Sequence, residues 1–288
     1  MREVVVRKVD MDTALAGMLL GVSSDVPVRA RPDGATPDEL ADPGVVCLEA
    51  GGSGDAPRLN FDHHGAPHIT ATASEQAMAY VGIRTPGVRR LVDYVSTIDV
   101  GRPHERGWPG FPTLSNVFSG AMLAHRDDPA RQLRAGVAIF QRVLEEGLDP
   151  WDTMPARPEW TAFVRAKLDA VSTLATDVEH ARCFKTSAGA EAGLLVSMQP
   201  GALGALYERG CVYAVAVNPA CPDAGTAAIR KATIGARHGR RVDHLLAELN
   251  ATEPGWGGPS HGTVVGSPGG RSTLWSDDDL IDLVRRCC

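Results

Sequence analysis

Apolar positions in the first 125 residues follow two periods that alternate along the chain. Val4-Val5-Val6 is a short β-branched run, and after it Ala14, Leu15, Met18 and Leu19 recur at helical spacing between Thr13 and Leu20. Val45-Val46-Cys47-Leu48 reads as a buried strand closed by the turn-forming run Gly51-Gly52-Ser53-Gly54, and Leu59 to Phe61 as a further short strand. Leu91, Val92, Val95 and Ile98 predict a helix over Arg89 to Ile98 that delivers Asp99 at its C-terminal end. Short apolar strands separated by helices predict an α/β fold with a parallel sheet covered by helices on both faces.

Alanine-rich segments around Ala121 to Leu144 continue the helical pattern, and Pro150, Pro155 and Pro158 then interrupt it. A domain boundary is expected there. Trp160 to Ala181 predicts a connecting helix, so the chain is read as a first domain over 1–150, a helical linker over 151–185 and a smaller α/β domain over 186–288. In that last part Leu194-Leu195-Val196, Val212 to Val217 and Ile229 to Ile234 predict strands, while Val242 to Leu249 and Leu280 to Arg286 predict helices. A chain of 288 residues is long enough for two cores.

Charge and composition remove several partners. The formal net charge of −6 gives no global basic field, and with 5% aromatic residues a long stacking channel is not expected, so extended duplex nucleic acid is excluded as a partner. No apolar run approaches the roughly 20 residues of a membrane span, and Met1-Arg2-Glu3 is too charged to open a secretory signal. A cytoplasmic location with no membrane partner is expected, and a homodimer is compatible with the sequence. The six cysteines, at 47, 183, 211, 221, 287 and 288, show no C-x-x-C pair and no zinc-site spacing to histidine, and are expected as free thiols.

The candidate chemistry lies at the ends of the predicted elements. Asp10 and Asp12 follow the first strand, Glu49 the second and Asp62-His63-His64-Gly65 the third, while Asp99 closes a helix. In an open parallel sheet the ligand crevice lies beyond the carboxyl ends of the strands, so residues distant in sequence converge there. Asp10 and Asp12 are two apart on a segment expected to be extended, which points both side chains the same way, toward two ions about 3.5–4 Å apart. Carboxylates of this kind suit hard divalent cations, and imidazole shifts the preference toward manganese. The plainer reading of the Asp10 and Asp12 pair is a cap on the following helix. Gly51-Gly52-Ser53-Gly54 lacks the Lys-Ser/Thr ending of a phosphate-binding P-loop and reads as a turn. Arg102 and His104 follow Asp99 closely and are candidates to line the same crevice.

Taken together these segments resemble the DHH phosphoesterase family, which includes RecJ-type exonucleases, nanoRNases and family II inorganic pyrophosphatases. The matching segments are Lys8-Val9-Asp10-Met11-Asp12, Glu49 within Leu48-Glu49-Ala50-Gly51-Gly52, Asp62-His63-His64-Gly65, and Asp99 within Ser96-Thr97-Ile98-Asp99-Val100. The later run Gly255-Trp256-Gly257-Gly258-Pro259-Ser260-His261-Gly262 is similar to the glycine-rich substrate loop of the family's associated C-terminal domain. The resemblance implies a DHH catalytic domain, a smaller substrate-binding domain and an active site in the cleft between them.

It also implies roles. Asp10 would ligate a first metal and Asp12 a second, with Glu49 bridging them and His63 and Asp99 completing the second site. Asp62 would orient a neighbouring histidine, and His64 would contact the scissile phosphate or a metal. Gly257, Gly258 and His261 would grip the substrate. Arg271, which follows Gly269-Gly270, is a further candidate to meet a phosphate, or else a solvated loop charge. The cofactor implied is manganese or magnesium, as one ion or two.

Two positions depart from the family pattern. Lys8 stands where the first motif has histidine, and Glu49 where the second has aspartate. A protonated lysine is no metal ligand, which leaves three outcomes: two ions with weaker occupancy, one ion with Lys8 replacing the other electrostatically in the catalytic group, or a binding protein without turnover. The expected activity is metal-dependent hydrolysis of a small phosphomonoester or short phosphodiester, of the nucleotide or oligonucleotide class. The alternative is a non-catalytic nucleotide-binding descendant.

Overall fold

The computed structural model describes residues 1–52, 54–64, 71–101, 110–221, 228–258 and 262–288; Ser53, Gly65, Arg102, His104, Pro259, Ser260 and His261, named above, lie outside the described residues. The chain divides into two compact units, Met1–Lys167 and Leu168–Cys288.

The first unit runs β1 (Glu3–Val6), α1 (Met11–Leu19), β2 (Val28–Ala30), α2 (Pro37–Ala41), β3 (Val45–Leu48), β4 (Asn60–Phe61), α3 (Ala73–Val81), α4 (Pro86–Val100), α5 (Leu114–Ala124) and α6 (Pro129–Glu145). Its sheet has the order β2-β1-β3-β4 and is parallel throughout. The two-residue period of the strands sorts their side chains by face. Val4, Val6, Val46 and Leu48 enter the large core with Leu15, Leu91, Phe118, Leu133 and Phe140 from the helices. Val5, Val45 and Cys47 turn the other way, against Leu40 of α2. The predicted parallel sheet with both faces covered is therefore what forms, each buried aliphatic side chain contributing about 2 kcal/mol.

Register places the site. Val6 pairs with Leu48, and Leu48 with Phe61, so β1, β3 and β4 end level with one another. The residues leaving these strands therefore emerge at one carboxyl edge: Asp10 after β1, Glu49 after β3 and Asp62-His63-His64 after β4.

One expectation needs correction. Asp10 and Asp12 do not share an extended segment: Asp10 is the N-cap of α1, its side chain accepting from the Thr13 N–H, and Asp12 already lies inside the first helical turn. The alanine-rich segments around Ala121 to Leu144 are helical as expected and belong to two helices, because Asp128 caps a new one with Pro129 in its first turn. Helix α3, which the apolar pattern does not mark, is announced instead by the capping box of Thr72 and Glu75.

The unit boundary falls within α7 (Thr161–Glu179). The second unit continues with β5 (Arg182–Lys185), β6 (Glu191–Val196), α8 (Ala202–Glu208), β7 (Tyr213–Cys221), β8 (Ile229–Ala236), α9 (Leu246–Thr252), β9 (Val264–Gly266) and α10 (Asp277–Cys287). Its five strands lie in sequence order, with β6 and β7 parallel and the other neighbours antiparallel. Leu194, Val215 and Ile234 pack with Trp256, Trp275, Leu280 and Val284 on one face, and Leu195 and Ala214 with Leu206 of α8 on the other. Among the described residues no helix is long and apolar enough to cross a membrane.

Candidate metal centre

Glu49 is the first residue beyond β3 and takes a φ of 51°, in the left-handed region that L-residues with long side chains rarely adopt. Its N–H still donates to the Phe61 carbonyl at 2.9 Å, so the β3–β4 ladder reaches it while its side chain turns into the site. There Oε2 accepts from the Thr13 hydroxyl at 2.7 Å, and Oε1 faces His63 Nε2 at 3.1 Å and His64 Nδ1 at 3.6 Å.

The same Nε2 of His63 lies 3.1 Å from Asp99 Oδ2. Asp99 sits in the last turn of α4, where the peptide dipoles leave partial negative charge, so its carboxylate calls for a nearby cation. Gly101 ends the helix in a left-handed cap with φ 64°.

Asp12 is fully buried and turns toward the start of α3. Its Oδ2 accepts from the Ala73 N–H at 2.6 Å and its Oδ1 from the Ser74 N–H at 3.0 Å and from the Ser74 hydroxyl. The N-terminal amides of a helix suit a carboxylate in this way. Asp12, Glu49, His63 and Asp99 each present a donor atom within 4.8 Å of all the others, and Glu49, His63 and His64 form an overlapping group of the same kind. Asp10 flanks this set through its contact with the Glu49 carboxyl but is not a member of it.

The site is short of positive charge. Burial pushes Asp12 up to about 6, against the lowering effect of its Ser74 hydrogen bonds, and the Asp99 and Asp10 charges add to the rise. Burial likewise pushes Glu49 up to about 8, with Asp10 and Asp12 adding repulsion and His63 opposing it. His63 is raised to about 10 by its bonds to Asp99 and Glu49. A proton on Nε2 thus stands at the centre of the carboxylates, at the atom that a metal ion would take. The donor set fits a divalent cation: three carboxylates and one imidazole, converging and undercompensated.

Asp62 is placed differently. Burial acts to raise its pKa, but bonds from the His64 ring, the His64 N–H and the Gly52 N–H prevail and lower it to about 2. Oδ1 accepts from the His64 N–H at 2.9 Å and meets His64 Nδ1 at 3.1 Å, while Oδ2 accepts from Gly52 at 2.6 Å. Both oxygens are occupied, and the carboxylate orients His64, whose side chain is 52% exposed. Lys8 is exposed, and its ammonium forms no ion pair among the described residues.

In the second unit Gly257 and Gly266 exchange backbone hydrogen bonds at 3.2 and 2.7 Å, which ties the glycine-rich loop to the end of β9. Gly258 lies so close that a Cβ there would fall on the Val264 carbonyl oxygen. Asn250 Oδ1 accepts from the Gly255 and Trp256 N–H groups at 2.7 and 3.0 Å. The buried Glu253 accepts from the Trp256 indole at 2.9 Å, the Thr273 hydroxyl at 2.7 Å and the Leu274 N–H at 3.1 Å. Arg271 is exposed and donates to the Pro254 carbonyl, bracing the same loop.

Thr13, Ser74, Asn250 and Glu253 join these sites without any motif that marks them in the sequence. For Ser74 the capping box at Thr72 and Glu75 is a local signal that a helix starts beside it. For Thr13 and Glu253 no local pattern points to their partners.

The geometry defines a class: a two-unit α/β protein with an acidic and imidazole cluster at the carboxyl edge of a parallel sheet. No protein-family model and no curated protein sequence matches the chain. Among solved structures, the DHH domain of a member of a family of ribosomal proteins is similar with a TM-score of 0.55 at 14% identity, over 92% of this chain and 82% of that one. A pGpG-specific phosphodiesterase from Vibrio cholerae matches with a TM-score of 0.47 at 13% identity, over 92% of both chains. An exopolyphosphatase-related protein from Bacteroides fragilis matches with a TM-score of 0.47 at 11% identity, over 98% of this chain and 90% of that one. The chain has the fold of a DHH domain.

Proposed function

We propose that this protein is a metal-dependent hydrolase of a small phosphomonoester or short phosphodiester of the nucleotide class. The observation that carries the reading is the position of His63 Nε2, 3.1 Å from both Glu49 and Asp99 in a cluster that also holds Asp12. Asp12, Glu49, His63 and Asp99 would hold one divalent cation, with manganese favoured by the mixed oxygen and imidazole donors. Such an ion supplies an acidified water at neutral pH and neutralises phosphoryl oxygens.

The chain's own groups account for the rest. Asp62 fixes the His64 ring through Nδ1, which leaves Nε2 to donate a hydrogen bond to a phosphoryl oxygen. In the overall reaction a water oxygen bonds to phosphorus, the phosphorus–oxygen ester bond breaks and the leaving oxygen takes a proton. The substrate class rests on the sequence motifs.

A manganese titration followed by turnover of p-nitrophenyl phosphate and of a dinucleotide tests the reading. Hydrolysis that rises with ion occupancy is expected. Occupancy without hydrolysis of either, together with tight dinucleotide binding, would replace it with the second reading, a nucleotide-binding protein without turnover. The exposed Lys8, which forms no ion pair among the described residues and stands in place of a ligand histidine, is the feature that favours this alternative.

A further inference from the structure

We propose that Thr13 is the positioning residue that fits a glutamate to this centre, fixing Glu49 as a ligand through one oxygen. The inference rests on the metal-centre reading above and concerns how the chain accommodates its departure at position 49.

A glutamate reaches one methylene further than an aspartate and has an extra rotatable bond, so a carboxylate at this distance from the backbone needs a second point of attachment to hold one orientation. Thr13 provides it. Its hydroxyl donates to Oε2 at 2.7 Å, while a competing acceptor, the Lys8 carbonyl, lies further off at 3.2 Å. The side chain is fully buried, and a β-branched residue in a helix has few rotamers to lose, so the donor is rigid before the bond is made. The N–H of the same residue donates to Asp10 Oδ1 at 2.9 Å, so one residue in the first turn of α1 sets two acids at once.

The bond decides which oxygen is offered. With Oε2 held by Thr13, the atom turned into the cluster is Oε1, facing His63 at 3.1 Å and His64 at 3.6 Å. Glu49 thus presents a single oxygen rather than two spread over a pair of ions. The methylene that separates glutamate from aspartate is taken up by the reach to Thr13, which couples the two positions.

Calorimetric titration of manganese into the wild-type chain and the Thr13→Val, Thr13→Ser and Glu49→Asp variants tests this, with a crystal structure of the wild-type complex. Thr13→Val should weaken binding by roughly 10- to 100-fold, the range for lost partners of metal ligands, and Thr13→Ser, which keeps the hydroxyl, should recover most of it. Glu49→Asp should weaken binding in the wild-type background and add little in the Thr13→Val background, because both changes break the same contact. The complex should show Glu49 Oε1 alone on the ion.

Unchanged affinity in Thr13→Val, multiplying effects of Thr13→Val and Glu49→Asp, or both Glu49 oxygens on metal would each overturn the role of Thr13 while leaving the centre in place. A wild-type chain that takes up no manganese would overturn the centre and this role with it. Should Thr13→Val fail to fold, Thr13→Ser against Thr13→Ala isolates the hydroxyl, and equal affinity in that pair overturns the proposal. A threonine that only stabilised the fold would lower the melting temperature in these variants without changing affinity.

Discussion

His63 and Asp99 meet at 3.1 Å, Nε2 to Oδ2, joining the loop after β4 to the last turn of α4. The contact places an imidazole against an acid at the end of a helix that disfavours negative charge, and Glu49 Oε1 lies 3.1 Å from the same nitrogen. Whatever cation occupies this point ties three elements of the first unit together.

Manganese uptake should be accompanied by proton release. Glu49, raised to about 8, and His63, raised to about 10, both carry protons at pH 7 in the metal-free chain and must lose them to act as ligands. Calorimetry in buffers of different ionisation enthalpy should show at least about one proton released per ion at pH 7. A buffer-independent enthalpy would contradict this.

The metal-free chain should lose stability as pH rises. Asp12 and Glu49 have folded pKa values near 6 and 8 against 3.8 and 4.5 for the free groups, so between those limits the folded state binds more protons than the unfolded one. His63 adds stability that is complete below 6.5 and lost as pH rises through about 10. All three slopes have the same sign. Thermal melts between pH 5 and 8 should show a falling Tm without metal and a manganese-induced rise that grows with pH.

His63→Ala should remove a donor and leave the Glu49 and Asp99 carboxylates without their cationic partner, and Asp99→Asn should replace a charged donor by a neutral amide. Manganese affinity should fall at least about 100-fold and turnover with it. Metal analysis after gel filtration gives the first readout, and initial rates on p-nitrophenyl phosphate the second.

Asp62→Asn should separate binding from turnover. Neither oxygen of Asp62 belongs to the donor set, so manganese content should be preserved. The His64 ring loses its charged partner, and kcat should fall roughly 10- to 100-fold. Loss of metal in this variant would make Asp62 a ligand instead.

Changes to the glycine-rich loop should act on the second unit alone. Gly258→Ala forces a Cβ onto the Val264 carbonyl and should cost about 1–3 kcal/mol. Glu253→Ala removes the acceptor of the Trp256 indole, the Thr273 hydroxyl and the Leu274 N–H, a loss of about 3 kcal/mol. Chemical denaturation measures both, and manganese affinity should remain that of the wild type.

The sheet and most of the acids are legible in the sequence because their signals are local. Val4-Val5-Val6 and Val45-Val46-Cys47-Leu48 carry strand and burial in one run, and Asp99 follows a helical stripe directly. Asp10 and Asp12 mislead because a two-residue spacing looks alike in a strand and at a helix start, where one residue caps and the other enters the first turn. The partners of Asp12 are out of reach for another reason: Ala73 and Ser74 lie 61 and 62 residues away, and only tertiary packing brings that helix start to the acid. Thr13 is hidden similarly, since a threonine beside a helix cap has an ordinary local role and its bond to Glu49 spans 36 residues.

The left-handed backbone of Glu49 means that the residue most useful to the centre and the residue most comfortable in the chain are not the same. At φ 51° a glycine would relieve a cost of about 1–2 kcal/mol while deleting the carboxylate. Sequences selected only for thermal resistance should therefore drift toward glycine or asparagine at position 49, and retention of the acid under such selection together with a demand for turnover would measure what the centre is worth to the protein.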